Sequence, residues 1–143
     1  MMQKGVNMNY LGAQVSQCNQ ANRELGRMDC CNTPTPSACV KGGWPEFEKY
    51  GFSANSGGAL SWTDLKAQID TNATPFAFSW HWDGGGGHMM VVTGYKVIGG
   101  QNYVSINDPW EPNVGDQRDI LYSEYVDGSG YSHWTDFYDV TKK

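Results

Sequence analysis

His88-Met89-Met90-Val91-Val92-Thr93-Gly94-Tyr95-Lys96-Val97-Ile98, then Gly99-Gly100, then Gln101-Asn102-Tyr103-Val104-Ser105-Ile106-Asn107-Asp108, is the stretch that decides the fold. β-Branched and aromatic residues fill 88–98 and 102–107, and two glycines separate them, which predicts an antiparallel hairpin with a tight turn. A strand out and a strand back then carry His88 and Asp108 to the same edge of a sheet. Pro109 cannot donate to the ladder and ends it, and Trp110 is placed to cover the pair from water. The run Gly84-Gly85-Gly86-Gly87 precedes His88. Glycines let backbone come close to a bound molecule without side-chain hindrance, so Gly86, Gly87 and Trp110 are candidates for the lining of a cleft.

Outward from the hairpin, residues 76–81 read as another strand, with further strands over 118–126 and 133–138. The first half of the chain has a different texture. Residues 3–11 read as the back of a helix stopped by Gly12, and Ser16 as the cap of a second helix with its body at 17–25 and its stop at Gly26. A Cys-, Pro-, Asn- and Gly-rich loop follows over 26–43. Pro45 suits the first turn of a short helix at 45–50 ended by Gly51, and 53–59 is a Ser/Asn/Gly turn region. Ser61-Trp62-Thr63-Asp64 has the spacing of a capping box; it predicts a helix over 62–70 with Trp62, Leu65 and Ile69 on one face. Helices first and strands second predict an α+β fold in one domain, a helical lobe over about 1–72 and an antiparallel β lobe over about 73–143.

Composition narrows the function. A chain of 143 residues is long enough to bury a core as one domain. No apolar run approaches the ~18 residues a transmembrane helix needs. The net charge is −5, with Lys and Arg scattered rather than striped, so neither nucleic acid nor a membrane surface is an expected partner. All four cysteines fall between Cys18 and Cys39. An even, clustered count predicts a local disulfide framework and an oxidising, extracellular compartment. Adjacent Cys30 and Cys31 are poorly placed to bond each other, which leaves 18–30 with 31–39, or 18–31 with 30–39. The spacing lacks the paired C-x2-C knuckles of common zinc sites. Nothing in the opening residues reads as a signal peptide.

Singly, the chemical residues are unremarkable: a lone His at a strand end is usually structural, four glycines are usually a flexible loop, and Asp-Pro after a strand is usually a turn. Jointly, on one hairpin, they read as the base and the orienting group of a nucleophilic hydrolase, where His takes and returns a proton and a third polar side chain fixes its tautomer. His81 lies near enough in sequence to suggest a metal pair with His88, but only Asp83 falls at a supporting spacing, and no metal or cofactor is expected. His133 beside Trp134 reads as structural, and Trp134 as core or cleft wall.

The stretch Trp80-His81-Trp82-Asp83-Gly84-Gly85-Gly86-Gly87-His88-Met89-Met90-Val91-Val92-Thr93-Gly94-Tyr95, with Val104-Ser105-Ile106-Asn107-Asp108-Pro109-Trp110, resembles the bacterial secreted papain-like cysteine peptidases, a group that includes effector proteases of plant pathogens. The resemblance extends to Gln17-Cys18-Asn19-Gln20-Ala21-Asn22 and Cys30-Cys31-Asn32. It implies a papain-like fold, a peptide or protein substrate, His88 as general base and acid, and Asp108 as its orienting residue. It also implies a nucleophile in a Cys-Trp-Ala-Ala-type motif at a helix start, where the dipole helps hold a thiolate, and an oxyanion Gln just before it. Counted back from Tyr10-Leu11-Gly12, that Cys is expected just ahead of Met1. The chain is therefore expected to be a peptidase domain trimmed before its nucleophile and inactive by itself. The competing expectation is a pseudo-peptidase that binds peptides without cutting them. An aromatic-rich carbohydrate-binding domain is a weaker third, because it gives no reason for the His88/Asp108 pairing. Substrate preference and oligomeric state leave no trace in the sequence.

Overall fold

The structure is a computed structural model, and it describes residues 9–10, 13–14, 17–40, 43–110 and 114–143. Two short strands, β1 (Asn9–Tyr10) and β2 (Ala13–Gln14), pair with each other. Helix α1 (Gln17–Leu25) follows, then single 3-10 turns at Ser37–Val40 and Phe47–Tyr50. The remaining elements are β3 (Phe52–Gly57), α2 (Trp62–Asp70), β4 (Phe76–Trp82), β5 (Gly87–Ile98), β6 (Gln101–Asp108), β7 (Asp116–Leu121), α3 (Tyr122–Val126), β8 (Asp127–Gly128) and β9 (Tyr131–Lys142). β3 to β7 and β9 form one antiparallel sheet in the order β3-β9-β4-β5-β6-β7, and β8 pairs with β9 to the side.

This overturns the expected α+β layout. The described residues of 1–72 form no separate helical lobe. β3, within that span, is an edge strand of the same sheet that β9 enters from the far end of the chain, and the helices are few and short. The expected turn at 53–59 is this strand: its weak Ser/Asn/Gly propensity is overridden by pairing with β9. At 9–10 the expected helix is a strand; the rest of that segment, Gly12 and the Ser16 cap lie outside the described residues. The 45–50 helix shrinks to one 3-10 turn, ended by Gly51 at φ +78. The strand read over 118–126 divides into β7 and α3, because Glu124 accepts from the Leu121 N–H at 3.0 Å and starts a helix there.

Where the signal is local, sequence and structure agree. Ser61 caps α2 by accepting from Asp64 N at 3.1 Å. Gly99 and Gly100 take φ +58 and +76, the paired left-handed conformation of a two-residue hairpin turn.

The main core lies on one face of the sheet. Phe76, Phe78, Trp80, Met90, Val92, Val104 and Ile106 pack there under Leu65 of α2 and Tyr125 of α3. Each such side chain contributes about 1.5–3 kcal/mol by leaving water. The other face carries a smaller aromatic layer, in which Trp44 meets Trp134 edge-on at 4.7 Å and Phe137 at 5.9 Å. β4, covered on both sides, is therefore buried from Phe76 to Trp80.

Two register shifts position the polar groups. In the β5–β6 hairpin, Gly94 pairs with Ser105 but Val92 pairs with Ile106, so Thr93 is an extra residue. Side chains alternate faces with period two, and a one-residue slip exchanges the faces. In the register that leaves the turn, His88 and Asp108 would point to opposite faces. Past the Thr93 bulge they share the core face. A second shift between β4 and β9 is mended by Ser79, whose Oγ meets both N and O of Thr135 at 3.0 Å.

Candidate active site

His88 starts the inner part of β5 opposite Trp80, and Asp108 is the last residue of β6. Extending the pairing past Val91 and Asn107 sets Asp108 opposite Met90, and His88 is the next same-face residue. Such a diagonal pair is within side-chain reach. His88 Nε2 lies 2.6 Å from Asp108 Oδ1. The carboxylate oxygen accepts, so Nε2 carries a hydrogen, and the lone pair of a neutral ring then sits on Nδ1. Nδ1 makes no hydrogen bond to a described residue.

Asp108 is 9% exposed and well supplied with donors. Oδ1 also accepts from Trp110 N at 2.9 Å, and Oδ2 from Arg118 Nη1 at 3.0 Å. Burial alone would raise its pKa, but the bonds from His88 and Trp110, the His88 charge and Arg118 outweigh it and hold the carboxyl down at about 2. The Arg118 guanidinium is in turn held by Asp108 and Asp116, and its pKa is raised although burial opposes this. Trp82 lies nearly parallel to the His88 ring, 17° off plane at 6.2 Å between centroids.

The other sequence candidates take different places. Trp110 contributes its backbone N–H; its side chain is 57% exposed and lies more in solvent than over the pair. The four glycines form a tight turn: Gly85 N donates to Trp82 O at 2.9 Å and Trp82 N to Gly86 O at 3.0 Å, with Gly85 and Gly86 at positive φ. Gly87 has no room for a side chain, since a Cβ there would sit 2.5 Å from Trp80 O and 2.8 Å from the Trp134 ring. His81 is on the opposite face from His88, its ring 4.6 Å from that of Trp134, so the two imidazoles do not meet.

His133 and Asp136 form a second pair within the core, Nε2 to Oδ1 at 2.6 Å, with Asp136 wholly buried. His133 Nδ1 faces Tyr125 O at 2.7 Å, so neither ring nitrogen is left for chemistry. Asp136 also accepts from Leu60 N at 2.8 Å and from the Tyr125 hydroxyl. Burial, then the Asp136 charge, pushes the Tyr125 hydroxyl pKa strongly upward. The group ties α3 and the 60–61 entry of α2 to β9.

Disulfides join Cys18 to Cys31 and Cys30 to Cys39, which settles the two pairings that spacing left open. The chain's four cysteines are thereby all spent. Among the described residues one group of potential metal-ligand atoms lies close together, Asp29 with Cys30 and Cys39, and both of its sulfurs are in a disulfide.

Sequence reading missed two residues beside the pair, Arg118 and Trp82. The alternation Asp116-Gln117-Arg118 was a usable signal for the first, because it puts Arg118 on the face of Asp116, which pairs with Asp108.

No curated protein and no solved structure matches the chain. The model of the Peptidase_C39 like family matches residues 6–140. That span takes in the hairpin, the two disulfides and nearly every strand of the sheet, and the chain belongs to the Peptidase_C39-like family.

Proposed function

We propose that the chain is a cysteine-peptidase-type domain that contributes the base and its orienting group to a Cys-His-Asp triad. His88 would take the thiol proton at Nδ1 and return it to the leaving amine, and Asp108 would hold the ring and stabilise its charged form. The observation that carries this reading is the 2.6 Å contact between His88 Nε2 and Asp108 Oδ1 on a carboxylate that three groups hold ionised. The nucleophile is a thiol that the 143 residues do not carry, since their four cysteines are paired. The substrate is a peptide or protein. Two disulfides are consistent with an extracellular setting.

The test is casein hydrolysis by the longest expressed form of the protein. Cleavage lost in His88→Ala and after thiol alkylation is the expected result; cleavage that survives His88→Ala refutes the role of the imidazole. The 143 residues assayed alone should not turn over, and turnover abolished there by His88→Ala would refute the external thiol. The spent cysteines also favour a second reading, a pseudo-peptidase that binds peptides. Saturable peptide binding without cleavage by the longest form would select it.

A further inference from the structure

Arg118 is the least expected group at the pair. It comes from β7, at the edge of the sheet, on the face shared by Ile106 and Asp108. Its Nη1 lies 3.0 Å from Asp108 Oδ2 and 3.1 Å from Asp116 Oδ2. The two oxygens of Asp108 therefore do separate jobs. Oδ1 takes His88 and the Trp110 N–H, while Oδ2 is pinned by the guanidinium. An unpinned carboxylate turns about its last bond and presents either oxygen, or neither squarely, to the ring.

We propose that Arg118 is a positioning residue for His88: by holding Asp108 Oδ2 it keeps Oδ1 on the Nε2 hydrogen, and so keeps the lone pair of the neutral ring at Nδ1. The proposal rests on the reading of His88 as the base. Arg118 has a second effect through its charge. A bare carboxylate strongly favours imidazolium, and the neighbouring guanidinium cancels part of that field, so the ring gives its proton back more readily. Asp116, which is more than half exposed, draws Arg118 outward and moderates the cancellation. Among the described residues, the charged groups beside His88 and Asp108 are Arg118 and Asp116 from β7. β4 presents Trp80 and Trp82, Asp83 lies in the adjoining turn, and His81 faces away.

The experiment is long-range 1H–15N NMR of the imidazoles in the folded 143-residue chain, as wild type, Arg118→Gln, Arg118→Lys, Asp116→Asn and Asp108→Asn. Neutral His88 in the wild type should carry its hydrogen at Nε2. Arg118→Gln should mix the two tautomers and raise the His88 midpoint by roughly 0.5 pH unit or more, as expected for a cation lost from a partly exposed site. Arg118→Lys should restore the midpoint. A purely structural arginine would lower the melting temperature and leave tautomer and midpoint where they were, and that result overturns the proposal. If Arg118→Gln does not fold, Asp116→Asn decides: the midpoint should fall by a few tenths of a unit, and no fall overturns it. Asp108→Asn separates the two levels. If it moves His88 while Arg118→Gln does not, only the role of Arg118 is lost; if Asp108→Asn also leaves the tautomer unchanged, the orienting role of Asp108 is lost with it.

Discussion

Asp108→Asn should remove a defined part of the protein's acid sensitivity. The carboxyl is held at about 2 against an ordinary 3.8, a gap worth about 2 kcal/mol. Because Asp108 is 9% exposed, solvent screening removes little of this. The sign follows from the depressed value: the stabilisation is fully present above the unfolded pKa near 4 and is lost as pH falls through the folded one near 2. Urea unfolding of wild type and Asp108→Asn at steps from pH 6 to pH 2 reads it directly. The stability gap between them should stay level down to about pH 5, then shrink by about 2 kcal/mol towards pH 2, roughly 1 M in urea midpoint for a chain of this size. Other acid-sensitive carboxylates, such as Glu24 beside Lys49 and Tyr50, act equally in both proteins and cancel. A gap that stays constant to pH 2, or widens, refutes the claim that His88, Trp110 and Arg118 hold Asp108 ionised.

Gly87→Ala should lower the melting temperature by roughly 5 °C or more through the overlap with Trp80 O and Trp134. Gly84→Ala in the same turn meets open space and should change it little; equal effects would show that loop entropy, not packing, governs the run. Asp136→Ala removes the carboxylate that the Leu60 N–H, the Tyr125 hydroxyl and His133 Nε2 share in the core and should cost about 3–5 kcal/mol in chemical denaturation. Tyr125→Phe should cost about 1–2 kcal/mol, and an Asp136→Ala loss no larger than that of Tyr125→Phe would refute the linking role of the carboxylate. Cys18→Ser with Cys31→Ser opens a 13-residue separation and should cost about 3 kcal/mol. Hydrogen exchange should then quicken over 17–40 while β4–β6 stay protected; equal loosening of the sheet would show that the cystine segment is part of its core.

What the sequence disclosed was whatever neighbouring residues decide among themselves. Helix α2 was readable because Ser61, Asp64 and the Trp62/Leu65/Ile69 spacing are one local signal, and the β5–β6 hairpin because Gly99-Gly100 admits few turns. β3 was hidden, since Phe52-Ser53-Ala54-Asn55-Ser56-Gly57 has little strand preference and owes its form to β9, which begins more than seventy residues later. That one pairing also removed the expected division into lobes. The hairpin alone does not bring His88 and Asp108 together: its plain register sends the two side chains to opposite faces, and nothing obvious in Val92-Thr93-Gly94 marks the bulge that corrects it. Arg118 was missed because its place depends on the register of β7 on β6.

The Thr93 bulge makes the site a matter of odd and even counting. From the turn, His88 is ten steps from Ile98 along one arm and Asp108 seven from Gln101 along the other. Unlike parity would separate them, and the one residue set aside at Thr93 makes the arms agree. Losing that residue, or gaining one beside it, would do more than shorten or lengthen a hairpin. It would turn the imidazole through the sheet, away from its carboxylate, and carry Met90 out of the core with it. Natural length changes between the turn and this pair should therefore come two residues at a time in either arm.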